Sequence, residues 1–295
     1  MKVLNIGKKQ FMTLEKYKLP SDVTNTECEL FIVNDREKWE TKRHLLKKFY
    51  TDDGEYFGNK LLTINTLIDN REEIGMEELV LPEKLAVVNK RVVGFTMPLI
   101  ENSSNLLSML NSFEISNEEK INYLRQVGSI LKRVESVEKF MKGFFLTDVH
   151  EGNFIVEEKT KIVRAVDLDS CKIADNQPFA SKYLATNPNL HLLSQKYPKN
   201  IKGIGIPNTN TELLCYNMMV LNYIAHGPIY NMPLDEFYLY LQYLRDTGFS
   251  NELLDCFSRL YVYSDNYSPK DLLDQIPQNL NRVNYAVFKY KTRKK

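Results

Sequence analysis

The sequence predicts an α+β fold. Its first third carries short apolar runs of strand character, its remainder carries helical periodicity, and strand does not alternate with helix in the βαβ manner. A chain of 295 residues and 34.5 kDa can bury a sizeable core, and no repeat or low-complexity segment divides it.

In the first part, Glu29–Asn34 and Arg43–Tyr50 read as two strands of a small antiparallel sheet. Residues 57–69 place Leu61, Ile64, Leu67 and Ile68 at helical spacing, a helix expected to pack on that sheet. Leu85–Val88 and Arg91–Met97 are two further strands joined by a compact turn at Asn89 and Lys90. Pro98 then ends the strand run and suits a hinge.

Beyond the hinge the periodicity is helical. Ser116-Asn-Glu-Glu119 is a capping box, and Ile121, Leu124, Val127, Leu131, Val134 and Val137 form one apolar stripe behind it. Thr209-Asn-Thr-Glu212 has the same cap form and opens an almost wholly apolar core helix with Met218, Met219, Leu221 and Ile224, with Gly227 as its stop. Helices are also expected over Leu234–Arg245, Asn251–Tyr261 and Pro269–Ile276. Residues 172–208, with Ser181, Tyr183 and Thr186, are long and turn-rich, the kind of segment expected to dock a substrate.

Composition narrows the function classes. A net charge of +1 provides no broad field for nucleic acid or an anionic membrane, and the basic run Lys289–Lys295 reads as a solvated tail. Cys28, Cys171, Cys215 and Cys256 lack paired spacing, and no secretory or membrane-spanning run is present, so a reducing cytoplasm is the expected location. The four histidines, at 44, 150, 191 and 226, include no H-x-x-x-H pair, which argues against a zinc site.

The stretch that carries chemistry is Asp148-Val-His150-Glu-Gly-Asn153, followed by Phe154-Ile-Val156 and the returning strand Lys161–Val166 that ends at Asp167. Such a hairpin brings Asp167 back beside Asn153, so an amide oxygen and a carboxylate converge as ligands for a hard cation. Asp148 can accept the proton of a substrate hydroxyl, and His150 is expected to fix the loop by a hydrogen bond.

The pattern D-x-H-x-x-N, then an apolar strand, then an apolar residue and Asp about fourteen residues later resembles the catalytic and metal-binding segments of the protein-kinase-like superfamily. The wording Asp148–Asn153 is similar to the D-L-H-P-G-N of small-molecule and atypical kinases, and Val166-Asp-Leu-Asp-Ser170 resembles the I-D-x-D-S of bacterial kinase-like proteins. The resemblance implies a bilobal fold, with a sheet-based lobe over residues 1–98 and a helical lobe over 99–295. It implies Asp148 as catalytic base, Asn153 and Asp167 as magnesium ligands, Asp169 as an accessory carboxylate, and ATP with Mg2+ as cofactors.

Other parts of that pattern are weaker. A strand lysine should reach the nucleotide phosphates; Lys47 and Lys48 both qualify, and Lys47 is preferred because it points opposite to Leu46 and Lys48. Its helix partner is open: Glu55 precedes the apolar segment, within which Asn59, Lys60 and Asn65 are the large polar residues. No G-x-G-x-x-G occurs in the first hundred residues, and Ser21–Thr26 is the candidate replacement for phosphate donors. Glu212 stands where the resemblance puts a structural aspartate, although a helix-cap role explains it. Leu146 and Thr147 stand where protein kinases carry His and Arg, and no glycine follows Asp167.

The expected function is Mg-ATP-dependent phosphoryl transfer to a hydroxyl, with a protein serine or threonine favoured as acceptor. A small-molecule hydroxyl kinase and a nucleotide-binding pseudokinase scaffold are the alternatives.

Overall fold

The structure, a computed structural model, describes residues 2–18, 28–37, 40–50, 55–173, 209–229, 231–259, 269–277, 280 and 285–292. It is a mixed α+β arrangement with a six-stranded sheet, a three-stranded sheet and helices around both.

All six strands of the larger sheet come from residues up to Pro98. They are β1 (Val3–Asn5), β2 (Glu15–Lys16), β3 (Cys28–Glu37), β4 (Glu40–Phe49), β5 (Lys84–Val88) and β6 (Arg91–Pro98), in the order β1-β5-β6-β4-β3-β2. Pairing is antiparallel except between β1 and β5. The β5–β6 turn puts Asn89 and Lys90 at φ 50° and 66°, the positive pair a tight two-residue hairpin requires.

Side chains alternate across this sheet. Leu45 and Phe49 of β4 join Leu85, Phe95 and Met97 in a cluster with Ile64 and Ile68 of α2 (Glu55–Asp69). Leu46 instead packs with Ile6, Val33, Ala86 and Val88 on the other face, which α1 (Lys8–Met12) covers through Phe11. The period of two therefore assigns Lys47 to the face that carries α2.

The second sheet has the order β7-β8-β9, with β7 (Ser103–Asn105) added to the hairpin of β8 (Phe154–Glu157) and β9 (Val163–Ala165). A short α3 (Arg71–Ile74) leads into residues 76–81, which tie this hairpin to the first sheet: the Ala165 amide donates to Glu78 O at 2.7 Å and the Val80 amide to Ala165 O at 2.9 Å.

Helices fill the rest. Asn105 caps α4 (Leu106–Asn111), and Ser116 caps α5 (Asn117–Glu138) by accepting from the Glu119 amide at 3.2 Å. All six stripe residues of α5 are buried, each worth roughly 1.5–3 kcal/mol of transfer free energy. They pack near α6 (Thr209–Ala225), whose Tyr216 hydroxyl donates to Leu124 O at 2.9 Å. Close approach there depends on Gly128, where an added Cβ would lie 2.8 Å from the Tyr216 hydroxyl. Next come α7 (Leu234–Asp246), α8 (Asn251–Ser258) and α9 (Tyr285–Thr292).

Several expectations need adjustment. Pro269–Gln275 adopts a 3-10 pitch instead of an α-helix, and β1, β2, β7, α1, α3, α4 and α9 were not foreseen. The helix expected to reach Tyr261 ends at Ser258. Among the described residues no helix is long and apolar enough to cross a membrane.

Candidate functional site

The β8–β9 hairpin does what its sequence foretells. Phe154 pairs with Ala165, and one step closer to the open end the Val166 amide donates to Asn153 O at 2.9 Å. Asp167 is the next residue, so the two expected ligands sit at the same end of one ladder. Asp167 has φ 64° and ψ 38°, a left-handed backbone that turns the chain into the 3-10 segment Leu168–Ser170. The Ser170 hydroxyl donates back to Asp167 O at 3.0 Å and secures the turn.

The loop before β8 is similarly constrained. Asn153 Nδ2 donates to the Asp148 carbonyl at 2.9 Å and to its Oδ2 at 3.1 Å, joining base and ligand candidates directly. His150 Nδ1 accepts from the Gly152 amide at 3.0 Å, and its Nε2 stands 3.4 Å from Asp148 Oδ2, in keeping with a loop-fixing role. Gly152 is needed for that contact, since a Cβ there would lie 2.7 Å from the His150 ring. The Asn105 side chain donates to Gly152 O at 2.9 Å and anchors the loop to the start of α4.

Thr147 precedes Asp148 with φ 64°, an unfavourable conformation for a β-branched residue that persists only when its surroundings over-determine it. Two tethers do so. Its hydroxyl donates to Ser170 O at 2.9 Å, and Glu212 of α6 accepts the amides of Leu146, at 2.5 Å, and Thr147. The cap reading of Glu212 is thereby corrected: its carboxyl reaches across 66 positions of sequence to satisfy buried amides of the loop. Burial pushes its pKa up to about 8 against the pull of those two amides.

Between the sheet and the hairpin lies a buried charge cluster. Lys47 is paired with Asp167 and stands 2.7 Å from Asp169 Oδ1. Lys60, from α2, is 2.7 Å from Asp169 Oδ2. The side chains of Lys47 and Asp169 are 6% and 1% exposed, whereas that of Asp167 is 41% exposed. Lys48 points elsewhere and binds Glu29 at 2.6 Å.

Protonation follows from this layout. Burial opposes the charge on Lys47, but Asp167 and Asp169 raise its pKa well above the usual lysine value. Burial likewise opposes the charge on Asp169, and the two lysines overcome it, holding the carboxyl well below the ordinary range. Partial desolvation and the neighbouring Asp169 raise the pKa of Asp167, with Lys47 opposing.

Asp148, Asn153, Asp167 and Lys47 are thus brought together. Asp169, the expected accessory carboxylate, has a lysine on each of its oxygens, Lys47 at Oδ1 and Lys60 at Oδ2. In the sequence Lys60 stands beside Asn59 and Asn65 as one of the large polar residues of this segment. Its spacing to Ile64, four residues on, puts a cation on the apolar face of a helix, which is the signal that singles it out. Among the described residues no group of three or more His, Cys, Asp or Glu is placed to hold a metal ion. The Ser21–Thr26 donors, the Glu55 side chain and the substrate segment beyond residue 173 lie outside the described residues. Compared with known proteins, the chain matches no family model, and no curated protein is significantly similar to it.

Proposed function

We propose that the chain is a Mg-ATP-dependent phosphotransferase with a bilobal, protein-kinase-like arrangement, residues 1–98 covering the nucleotide and 99–295 carrying the catalytic loop. The observation that supports this most is that Asp148, Asn153 and Asp167 converge at one end of a hairpin that also meets the buried Lys47.

The donor set fits a hard cation: Asn153 and Asp167 present oxygen, and the carboxylate of Asp167 is the more exposed of the two acids on Lys47. Those two residues would hold Mg2+, which supplies charge neutralisation at the phosphates when bound. Lys47 would move from Asp167 to the phosphate oxygens while Asp169 keeps hold of it. Asp148, oriented by the Asn153 amide, takes the proton of the acceptor hydroxyl as that oxygen attacks the terminal phosphorus. The bond to the bridging oxygen breaks, and ADP leaves. A protein serine or threonine is the acceptor favoured by the wording of Val166–Ser170; a small-molecule hydroxyl is the alternative.

A second reading, a nucleotide-binding scaffold without turnover, is favoured by one observation: the residue that α2 contributes to the charge cluster is a cation, Lys60, where the resemblance leads one to expect a helix acid. Incubation with γ-labelled ATP and magnesium separates the readings. Label on the protein or an added protein substrate is expected. Label only on a metabolite selects the small-molecule acceptor, and nucleotide binding with no transfer selects the scaffold.

A further inference from the structure

We infer that Asp169 and Lys60 together form the positioning device for Lys47, a Lys–Asp–Lys bridge serving in place of a direct pair between the strand lysine and a helix acid. The inference rests on the phosphotransferase reading and extends it from Asp169, which retains Lys47 there, to Lys60.

The bridge is defined by geometry. One carboxylate is shared end to end, its Oδ1 on Lys47 and its Oδ2 on Lys60, both at 2.7 Å. The three groups come from three elements: β4, α2 and the 3-10 turn after the hairpin. Lys60 also lies 5.9 Å from the centroid of the Phe49 ring, so its head is held from a second side. An acid this buried is tolerable only when its charge is compensated, and Lys60 provides the second ion-pair partner.

Charge explains why two lysines are needed. With Lys47, Lys60, Asp167 and Asp169 the cluster is neutral. When Asp167 serves the metal, Asp169 retains Lys47 in place, and Lys60 keeps Asp169 from adding an uncompensated negative charge beside anionic phosphates. Without Lys60 that charge would oppose the nucleotide and compete for Lys47. Lys60 acts here through Asp169, with no phosphate contact of its own.

A double-mutant cycle on Mg-ATP binding tests this. Lys60→Met and Asp169→Asn are each expected to weaken Mg-ATP by about tenfold or more. The double variant should be no weaker than Asp169→Asn alone, because Lys60 has nothing left to act on. Lys60→Arg, which keeps a cation able to bind a carboxylate, should restore most of the affinity. Thermal unfolding without nucleotide reports whether each variant is folded, with Lys60→Gln and Asp169→Glu as replacements for any that is not. Additive losses would mean that Lys60 touches the nucleotide itself, and folded single variants with wild-type affinity would remove the bridge from function; either result overturns the inference. Failure of the wild type to bind Mg-ATP is a separate outcome, and overturns the phosphotransferase reading together with everything built on it.

Discussion

At the scale of single residues, chemistry and support are carried by different groups. Asp148 is the base in the proposed reaction, so Asp148→Asn should lower turnover by roughly 10²–10⁴-fold while leaving Mg-ATP affinity nearly intact. Steady-state transfer rates beside a binding titration check this, and unchanged turnover would remove Asp148 from the reaction. Glu212 offers a different handle, because its folded pKa of about 8 lies above its ordinary value of 4.5. The folded state therefore holds this proton more tightly than the unfolded chain. The associated stability is fully present below about pH 4.5 and is lost as pH rises through about 8. Denaturant unfolding at a series of pH values should show that decline. Glu212→Gln, which keeps an acceptor for the Leu146 and Thr147 amides, should flatten it across the same window. A slope unaltered in the variant would assign the titration to other groups.

At the scale of elements, what could be read in the sequence depended on how local its cause was. The β8–β9 hairpin and the α5 stripe follow from alternation and from a cap next to them in sequence, and both appear as expected. Lys47 could be assigned because a strand has only two faces. Short elements such as β1 and β7 owe their existence to partners far away, Val3 opposite Leu85 and Ser103 opposite Glu157, and no local pattern announces them. For the same reason the Asp169–Lys60 contact was hidden, since it spans from α2 to the turn after β9. Glu212 was obscured in another way: a plausible local cap masked its long-range contact.

The strand that carries Lys47 has an exacting neighbour. Gly94 of β6 faces Lys48, and a Cβ at Gly94 would lie 2.1 Å from the Lys47 carbonyl oxygen. Gly94→Ala must therefore push β6 from β4. A loss of roughly 1–3 kcal/mol or more in denaturant unfolding is expected, the scale of forced overpacking. Mg-ATP affinity should weaken with it, because the displaced strand positions Lys47. Full stability in the variant would show that the two strands separate at no cost.

At the scale of the whole molecule, the larger sheet delivers Lys47, the second sheet delivers Asn153 and Asp167, and α6 holds the loop bearing Asp148 through Glu212. These parts meet through a charge cluster in which Lys47 pairs with the acid proposed for the metal. Binding of Mg-ATP should therefore stabilise the whole fold. A ligand at about one hundred times its dissociation constant adds roughly 2.7 kcal/mol, enough to read as a raised unfolding midpoint. The most direct test is a calorimetric titration of ATP into the wild type and Asp167→Asn, with and without magnesium. The wild type should bind in a magnesium-dependent manner, and Asp167→Asn should lose that dependence. Absence of binding to the wild type, or equal magnesium dependence in the variant, would contradict a metal–nucleotide site at Asp167.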